Sequence, residues 1–201
     1  MAHRFPHGRP FRVSMGAALL ALLLLPAAGA GAHGVSVFGG RGNSDFRALR
    51  GAVQWQGPLD GFNGKLGIAD SHLEAAYARW RSVSVEATDF APRRGYREVR
   101  VLSLAPVWRW VLPGVGGAGF AFYGEYGVGI AHLSSVELED QRGEQRHLGS
   151  PWEFESRVSL GIRALPGGGD VNLRFMHVSN ANLAAKNDGI DVLGVTVGFW
   201  F

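Results

Sequence analysis

The sequence predicts an all-β fold, an eight-stranded antiparallel β-barrel that spans a membrane. Three observations predict it. Apolar residues alternate with polar or small ones at a period of two along segment after segment. No run of 18 apolar residues remains beyond the N-terminal stretch, so a helix of bilayer length is missing from the pattern. The first residues carry the marks of an export signal.

That signal has three parts. His3, Arg4, His7, Arg9 and Arg12 give a positive start, Gly16 to Leu25 form a short Leu-rich core, and Pro26 leads to the small residues Ala30-Gly31-Ala32. The core is short for a membrane anchor, which needs about 20 apolar residues. The expected division is therefore a signal peptide over 1–32 and a single barrel domain over 33–201. Of the 20 basic residues, three arginines fall in the signal, so the rest of the chain balances 17 basic against 17 acidic residues. Nucleic-acid binding calls for a basic domain, and none remains. There is no cysteine, so disulfides and thiol metal sites are excluded, and no cofactor or metal is called for.

In chain order, strands are predicted near 34–39, 45–56, 72–86, 98–111, 118–133, 152–164, 170–179 and 190–201. Leu102, Leu104, Pro106, Trp108 and Trp110 share one face of the fourth strand, opposite Ser103, Ala105 and Arg109. Phe122, Tyr126, Val128 and Ile130 share a face of the fifth, opposite Tyr123, Glu125, Gly127 and Gly129. In the sixth, Trp152, Phe154, Val158, Leu160 and Ile162 oppose Glu153, Glu155, Arg157 and Arg163. The last strand alternates Leu193, Val195, Val197, Phe199 and Phe201 with Gly194, Thr196 and Gly198. A terminal Phe after such an alternation resembles the ends of outer-membrane barrels. Eight is an even number, as bacterial barrels require.

The segments 113–117 and 166–169, rich in Pro and Gly, read as tight periplasmic turns, and the polar segments 134–151 and 180–189 as outer loops. The segment 57–71 is long where a short turn is expected. A barrel of eight strands has an interior just wide enough for side chains. Glu125, Glu153, Glu155, Arg157, Arg163, Asn172 and Arg174 are expected to fill it as an ion-pair network, which argues against a transport pore. A soluble β-sandwich or lipocalin-like barrel gives the same alternation turned inside out. The export signal, the terminal Phe and the aromatic residues at strand ends favour the membrane form.

The seventh strand carries chemistry. Val171, Leu173, Phe175, His177 and Ser179 occupy one face, and the apolar members of that row are the ones expected to meet lipid. Two residues along a strand lie about 6.6 Å apart on one face, so the imidazole of His177 can reach the hydroxyl of Ser179. That is the base–nucleophile relationship of a serine hydrolase. Asp191 shares the outward parity of the last strand. Asn187-Asp188-Gly189 reads as a turn that returns the chain antiparallel, with Asp191 beside His177 as the carboxylate that orients the ring. Taken singly, a His or Ser at a barrel rim is an ordinary interfacial residue, because polar groups there cost only about 0–1 kcal/mol. Three on one face at one end are a narrower coincidence. Asn182 and Lys186 read as solvated loop groups.

Phe175-Met176-His177-Val178-Ser179-Asn180-Ala181, followed by Asn187-Asp188-Gly189-Ile190-Asp191, resembles the active-site strands of the lipid A 3-O-deacylases, the PagL family. A looser likeness extends to Ser103-Leu104-Ala105-Pro106-Val107 and to the Gly-spaced strand at Glu125–Gly129. The resemblance implies His177 as general base, Ser179 as nucleophile and Asp191 as the acid, with Asn187 and the backbone of Asn180 and Ala181 as oxyanion donors. It implies lipid A, or the lipopolysaccharide that contains it, as substrate and the outer membrane as location, and a homodimer is among the assemblies open to such a barrel. The family's acid is usually Glu. The shorter Asp191 requires a closer strand or a longer hydrogen bond. The other functions weighed for such a chain are a non-enzymatic OmpX-like barrel and a phospholipase acting on glycerophospholipids.

Overall fold

The computed structural model describes residues 33–43, 46–56, 58–82, 98–117, 119–139, 145–165 and 168–201. The signal-peptide segment 1–32, the predicted strand ends at 45, 83–86 and 118, and the turn residues 166–167 lie outside these. Eight long strands close into one antiparallel barrel. They are β1 (His33–Gly42), β2 (Phe46–Trp55), β3 (Asp70–Ser82), β4 (Glu98–Gly117), β5 (Phe120–Leu133), β8 (Trp152–Ala164), β9 (Gly169–Ser179) and β10 (Ile190–Trp200), with β1 pairing β10 to complete the wall. A separate two-stranded hairpin, β6 (Glu137–Glu139) and β7 (Gln145–His147), stands in the loop between β5 and β8.

Each strand presents its apolar alternate residues outward. Val37, Leu49, Leu160, Leu173 and Phe199 are all more than half exposed, and similar residues on the other strands extend this belt around the wall. An apolar surface of that extent is incompatible with water and is what a lipid-spanning barrel needs. The inside-out soluble alternative is thereby removed.

The lumen is divided along its length. Toward the periplasmic end, buried charges of both signs interlock. Glu74 meets Arg157 at 2.6 Å, Arg50 at 2.9 Å and Arg174 at 3.7 Å, while Arg109 meets Glu125 at 2.6 Å. Taking such charges out of water is costly unless each finds partners, and here the partners come from six different strands. Gly127 gives this network room, because a Cβ there would lie 2.8 Å from Arg157 Nε. The outer half is mostly apolar instead, with Glu153 buried beside Ala131 on its wall. Phe38, Phe46, Trp80, Val99, Leu133, Met176, Val178, Ile190 and Val192 form a buried cluster, sealed by Leu138 of β6 and by Leu148 just after β7. The expected ion-pair network is thus confined to the periplasmic half, and among the described residues Glu153, expected in it, has no ion pair. Strand parity gives the side on which a residue lies but not the depth at which the lumen changes character.

Two connections differ from expectation. Residues 113–117 are not a turn: β4 runs on to Gly117, with its pairing to β5 shifted between Val111 and Gly116. Pro113 lacks an N–H for the ladder, and Gly114 (φ 74°) and Gly116 (φ 144°) take conformations open to glycine, so the strand bulges. In the long segment 57–71, the described residues 58–71 form an ordered periplasmic cap. Two 3-10 turns, Asp60–Phe62 and Lys65–Gly67, fold against the barrel end. They are tied there by the Ser71 hydroxyl donating to Leu59 O at 2.8 Å and by Trp110 Nε1 donating to Leu66 O at 3.1 Å.

Candidate active site

The outward rows of β9 and β10 end at the rim in polar residues. His177 and Asp191 are direct cross-strand partners, and their side chains are 43% and 41% exposed. Their inward neighbours Met176, Val178, Ile190 and Val192 are buried in the apolar cluster, which fixes the strands from behind. His177 Nδ1 lies 2.7 Å from Asp191 Oδ1, and His177 Nε2 lies 2.9 Å from Ser179 Oγ. An ionised carboxylate only accepts hydrogen bonds, so Nδ1 is the protonated nitrogen and Nε2 is left to accept from the serine hydroxyl. The shorter acid therefore costs no distance. Direct register places the Asp191 and His177 Cβ atoms about 4.5–5.5 Å apart, close enough for a two-bond side chain.

One partner was not foreseen. Asn43, in the turn after β1, donates its backbone N–H to Asp191 O at 3.0 Å, and its side-chain Nδ2 lies 3.4 Å from Asp191 Oδ2. It is 148 residues away in sequence, and only barrel closure brings it there, so no local pattern could have marked it.

The loop that follows Ser179 is held tightly. The Leu183 N–H donates to Asn180 O at 3.0 Å, and the two residues between, Ala181 (φ 53°) and Asn182 (φ 63°), are both left-handed. Two positive φ values at the centre define a type I′ turn. Left-handed backbone costs a non-glycine residue about 1–2 kcal/mol, and strain of this kind gathers at functional positions. Asn180 is buried and its donors are engaged: Nδ2 donates to Leu148 O and Lys186 O, both at 2.7 Å, and its N–H donates to Asn187 Oδ1 at 3.1 Å. Asn187 Nδ2 donates to Asn182 Oδ1 at 3.1 Å. Of the oxyanion candidates, Asn180 and Asn187 thus build the loop, while the Ala181 amide is not among the groups that do so.

Asn187-Asp188-Gly189 is not a closed turn. Asp188 instead accepts the His147 N–H at 2.6 Å and ties this loop to the hairpin of β6 and β7. Gly189 alone is left-handed (φ 51°), and a Cβ there would lie 3.2 Å from His177 Cε1. Lys186 is an exposed loop residue, and Asn182 is exposed with its side chain turned to Asn187. Beside Ser179, which pairs with Phe154, runs a groove of about 270 Å³ lined by Ile130, Trp152, Phe154, Asn180 and Leu183 among others. Among the described residues, no three His, Asp or Glu side chains converge as metal ligands.

A closed barrel with an apolar outer belt defines a membrane-embedded β-barrel, and the histidine hydrogen-bonded to both a serine and an aspartate on its lipid-facing wall is an arrangement that suits a serine hydrolase. Residues 47–200 match the model of the family described as lipid A 3-O-deacylase (PagL), and the chain belongs to that family of outer-membrane barrels. It is 31% identical over 99 residues to the lipid A deacylase PagL of Bordetella bronchiseptica, a match covering 49% of each chain. It is 29% identical over 175 residues to that of Pseudomonas aeruginosa, covering 87% of this chain and 90% of the relative. The match thus spans about half of the first relative and nine-tenths of the second. In fold, it is similar to the crystal structure of the outer membrane enzyme PagL, with a TM-score of 0.64 at 24% identity over 83% of this chain and 98% of that one.

Proposed function

We propose that this barrel is a lipid A 3-O-deacylase that uses Ser179, His177 and Asp191 to hydrolyse the 3-linked acyl ester of lipid A in the outer leaflet. The observation that carries the proposal is the continuous outward contact from Asp191 through His177 to Ser179, at 2.7 and 2.9 Å. Family membership supplies the substrate class.

In the proposed reaction, Ser179 Oγ attacks the acyl carbonyl while His177 Nε2 takes its proton. Asp191 holds Nδ1–H and stabilises the imidazolium that forms. The tetrahedral oxyanion is met by the Ala181 amide, presented by the left-handed turn, with Asn187 close by. Collapse of the tetrahedral intermediate breaks the bond to the sugar oxygen, which leaves with the proton from His177. Water, activated by the same His177, then releases the fatty acid from Ser179. A base of this kind is worth about 10²–10⁴-fold, and one oxyanion donor about 10²–10³-fold. The groove over Trp152 and Phe154 suits an acyl chain lying along the wall. Placement at the rim suits an ester just below the sugar headgroup.

Mass spectrometry of lipid A from cells making this chain or its Ser179→Ala variant tests the reading. The expected product is a species lighter by one 3-linked acyl chain with the unaltered protein only. Identical spectra would overturn it, and a lysophospholipid in place of that species would move the substrate to glycerophospholipids.

A further inference from the structure

Next to the serine, on the side away from the acyl groove, the outer wall becomes strongly basic. Arg41 on β1, Arg47 on β2 and Arg81 on β3 are direct cross-strand neighbours in one row. All three face outward and are exposed. Arg41 in turn pairs with Leu193, two residues along β10 from Asp191. One step deeper toward the membrane, Arg79 and Arg100 pair with each other across β3 and β4. Glu98 continues the row as the direct cross-strand partner of Arg81, is the acid among the described outward positions of β1 to β4, and lies 2.5 Å from Arg79 and 3.7 Å from Arg100. The wall is concave, with a hollow of about 780 Å³ floored by Gly39, Gly40 and Gly194.

Two physical points make this more than an interfacial fringe. Like charges directly opposite each other on neighbouring strands destabilise a sheet, and a row of three arginines repeats that cost twice unless an anion lies between them. The arginines are also one-sided. At the same end of β5 and β8 the outward positions are His132, Trp152 and Phe154, with the two rings of His132 and Trp152 in contact. Side chains that merely anchor a barrel at the interface would be spread around the rim. Guanidinium groups in a row match phosphate, which they hold bidentately. With strands about 4.8 Å apart, β1 to β3 lie roughly 10–19 Å from the strand bearing Ser179, within the reach of a phosphorylated disaccharide.

We propose that Arg41, Arg47 and Arg81 bind the phosphate groups of the lipid A headgroup and so set its 3-linked ester against Ser179, with the acyl chain on the opposite side over Trp152 and Phe154. This rests on the reading of the chain as a lipid A deacylase. The wall acts on the substrate's charge and takes no part in the bond-breaking step.

The test is equilibrium binding by the folded Ser179→Ala barrel in neutral-detergent micelles, so that turnover plays no part. The probes are bisphosphorylated lipid A, the same lipid stripped of phosphate, and phosphatidylglycerol. The phosphorylated form is expected to bind about tenfold tighter or more than the stripped one, the scale of one charge-assisted hydrogen bond. Adding Arg41→Gln, Arg47→Gln and Arg81→Gln together should bring that ratio to within about twofold, and the corresponding Lys substitutions should retain part of it by keeping the charge without the fork. Heat-modified gel mobility checks that each variant is folded. Equal binding of the two lipid A forms, a ratio untouched by the three Gln substitutions, or phosphatidylglycerol bound as tightly as phosphorylated lipid A would overturn the proposal. A surviving ratio in a protein that leaves lipid A acylated in cells would count against the reaction and still for the wall.

Discussion

The two faces of the β9–β10 pair do opposite work with residues that alternate one by one. Inward, Met176, Val178, Ile190 and Val192 are buried in the apolar half of the lumen. Outward, His177, Ser179 and Asp191 stand partly exposed in hydrogen-bond contact. The lesson is that a period of two lets one strand pair serve as scaffold on one face and, in the proposed mechanism, as reactive surface on the other. Packing on one side holds rotamers on the other without sharing atoms with them. Substitutions on the two faces should therefore separate cleanly, the outward ones in rate and the inward ones in stability.

The largest separation is expected at Ser179. Ser179→Ala should lower deacylation by about 10⁴-fold or more while leaving heat-modified mobility unchanged, and a Ser179→Ala/His177→Ala double variant should be no worse than the single one, because triad members act as a unit. Asp191→Ala should cost about 10²–10⁴-fold in turnover. Asp191→Glu should be milder, since it restores a carboxylate one methylene longer, and assay of micellar lipid A with the three proteins side by side orders them.

On the inward face the sign of the experiment reverses. Met176→Ala should lose about 2–5 kcal/mol of unfolding free energy from the cavity it opens, read by urea titration in lipid vesicles, and should keep most of its turnover under folding conditions. A rate collapse without loss of stability would break the contrast between the faces. The smallest effect is expected at Asn43, whose hydrogen bond to Asp191 crosses the β1–β10 seam. Asn43→Ala should reduce turnover by no more than about tenfold, because the side-chain contact is long at 3.4 Å and exposed, with no change in mobility.

Much of this contrast was legible in the sequence. The row Val171 to Ser179 and the matching row ending at Asp191 depend only on strand parity and one hairpin, both local. The position of His177 opposite Asp191 follows from them. Closure into a barrel was legible, but the register across its seam and the depth along its lumen were not. Asn43 reaches Asp191 only because β1 meets β10, and the arginine row of Arg41, Arg47 and Arg81 exists only through the registers of three strands. The apolar plug around Leu138 and Leu148 depends on where a loop hairpin folds back over the lumen. At Pro113 to Gly117 the residues that signal a turn made a bulge instead, because glycine and proline permit both and pairing with β5 decides between them. The donors of Asn180 and Asn187 were assigned from motif position, whereas their hydrogen bonds serve the loop.

The central claim is that the outward Ser179 is a nucleophile activated by His177. A lipophilic fluorophosphonate offered to the folded barrel in mixed micelles tests it most directly, since attack on phosphorus with loss of fluoride leaves a stable adduct on the activated oxygen. Peptide mass analysis should place that adduct on Ser179, and His177→Ala should abolish it. An unlabelled barrel, an adduct on another residue, or undiminished labelling of the His177→Ala protein would contradict the account.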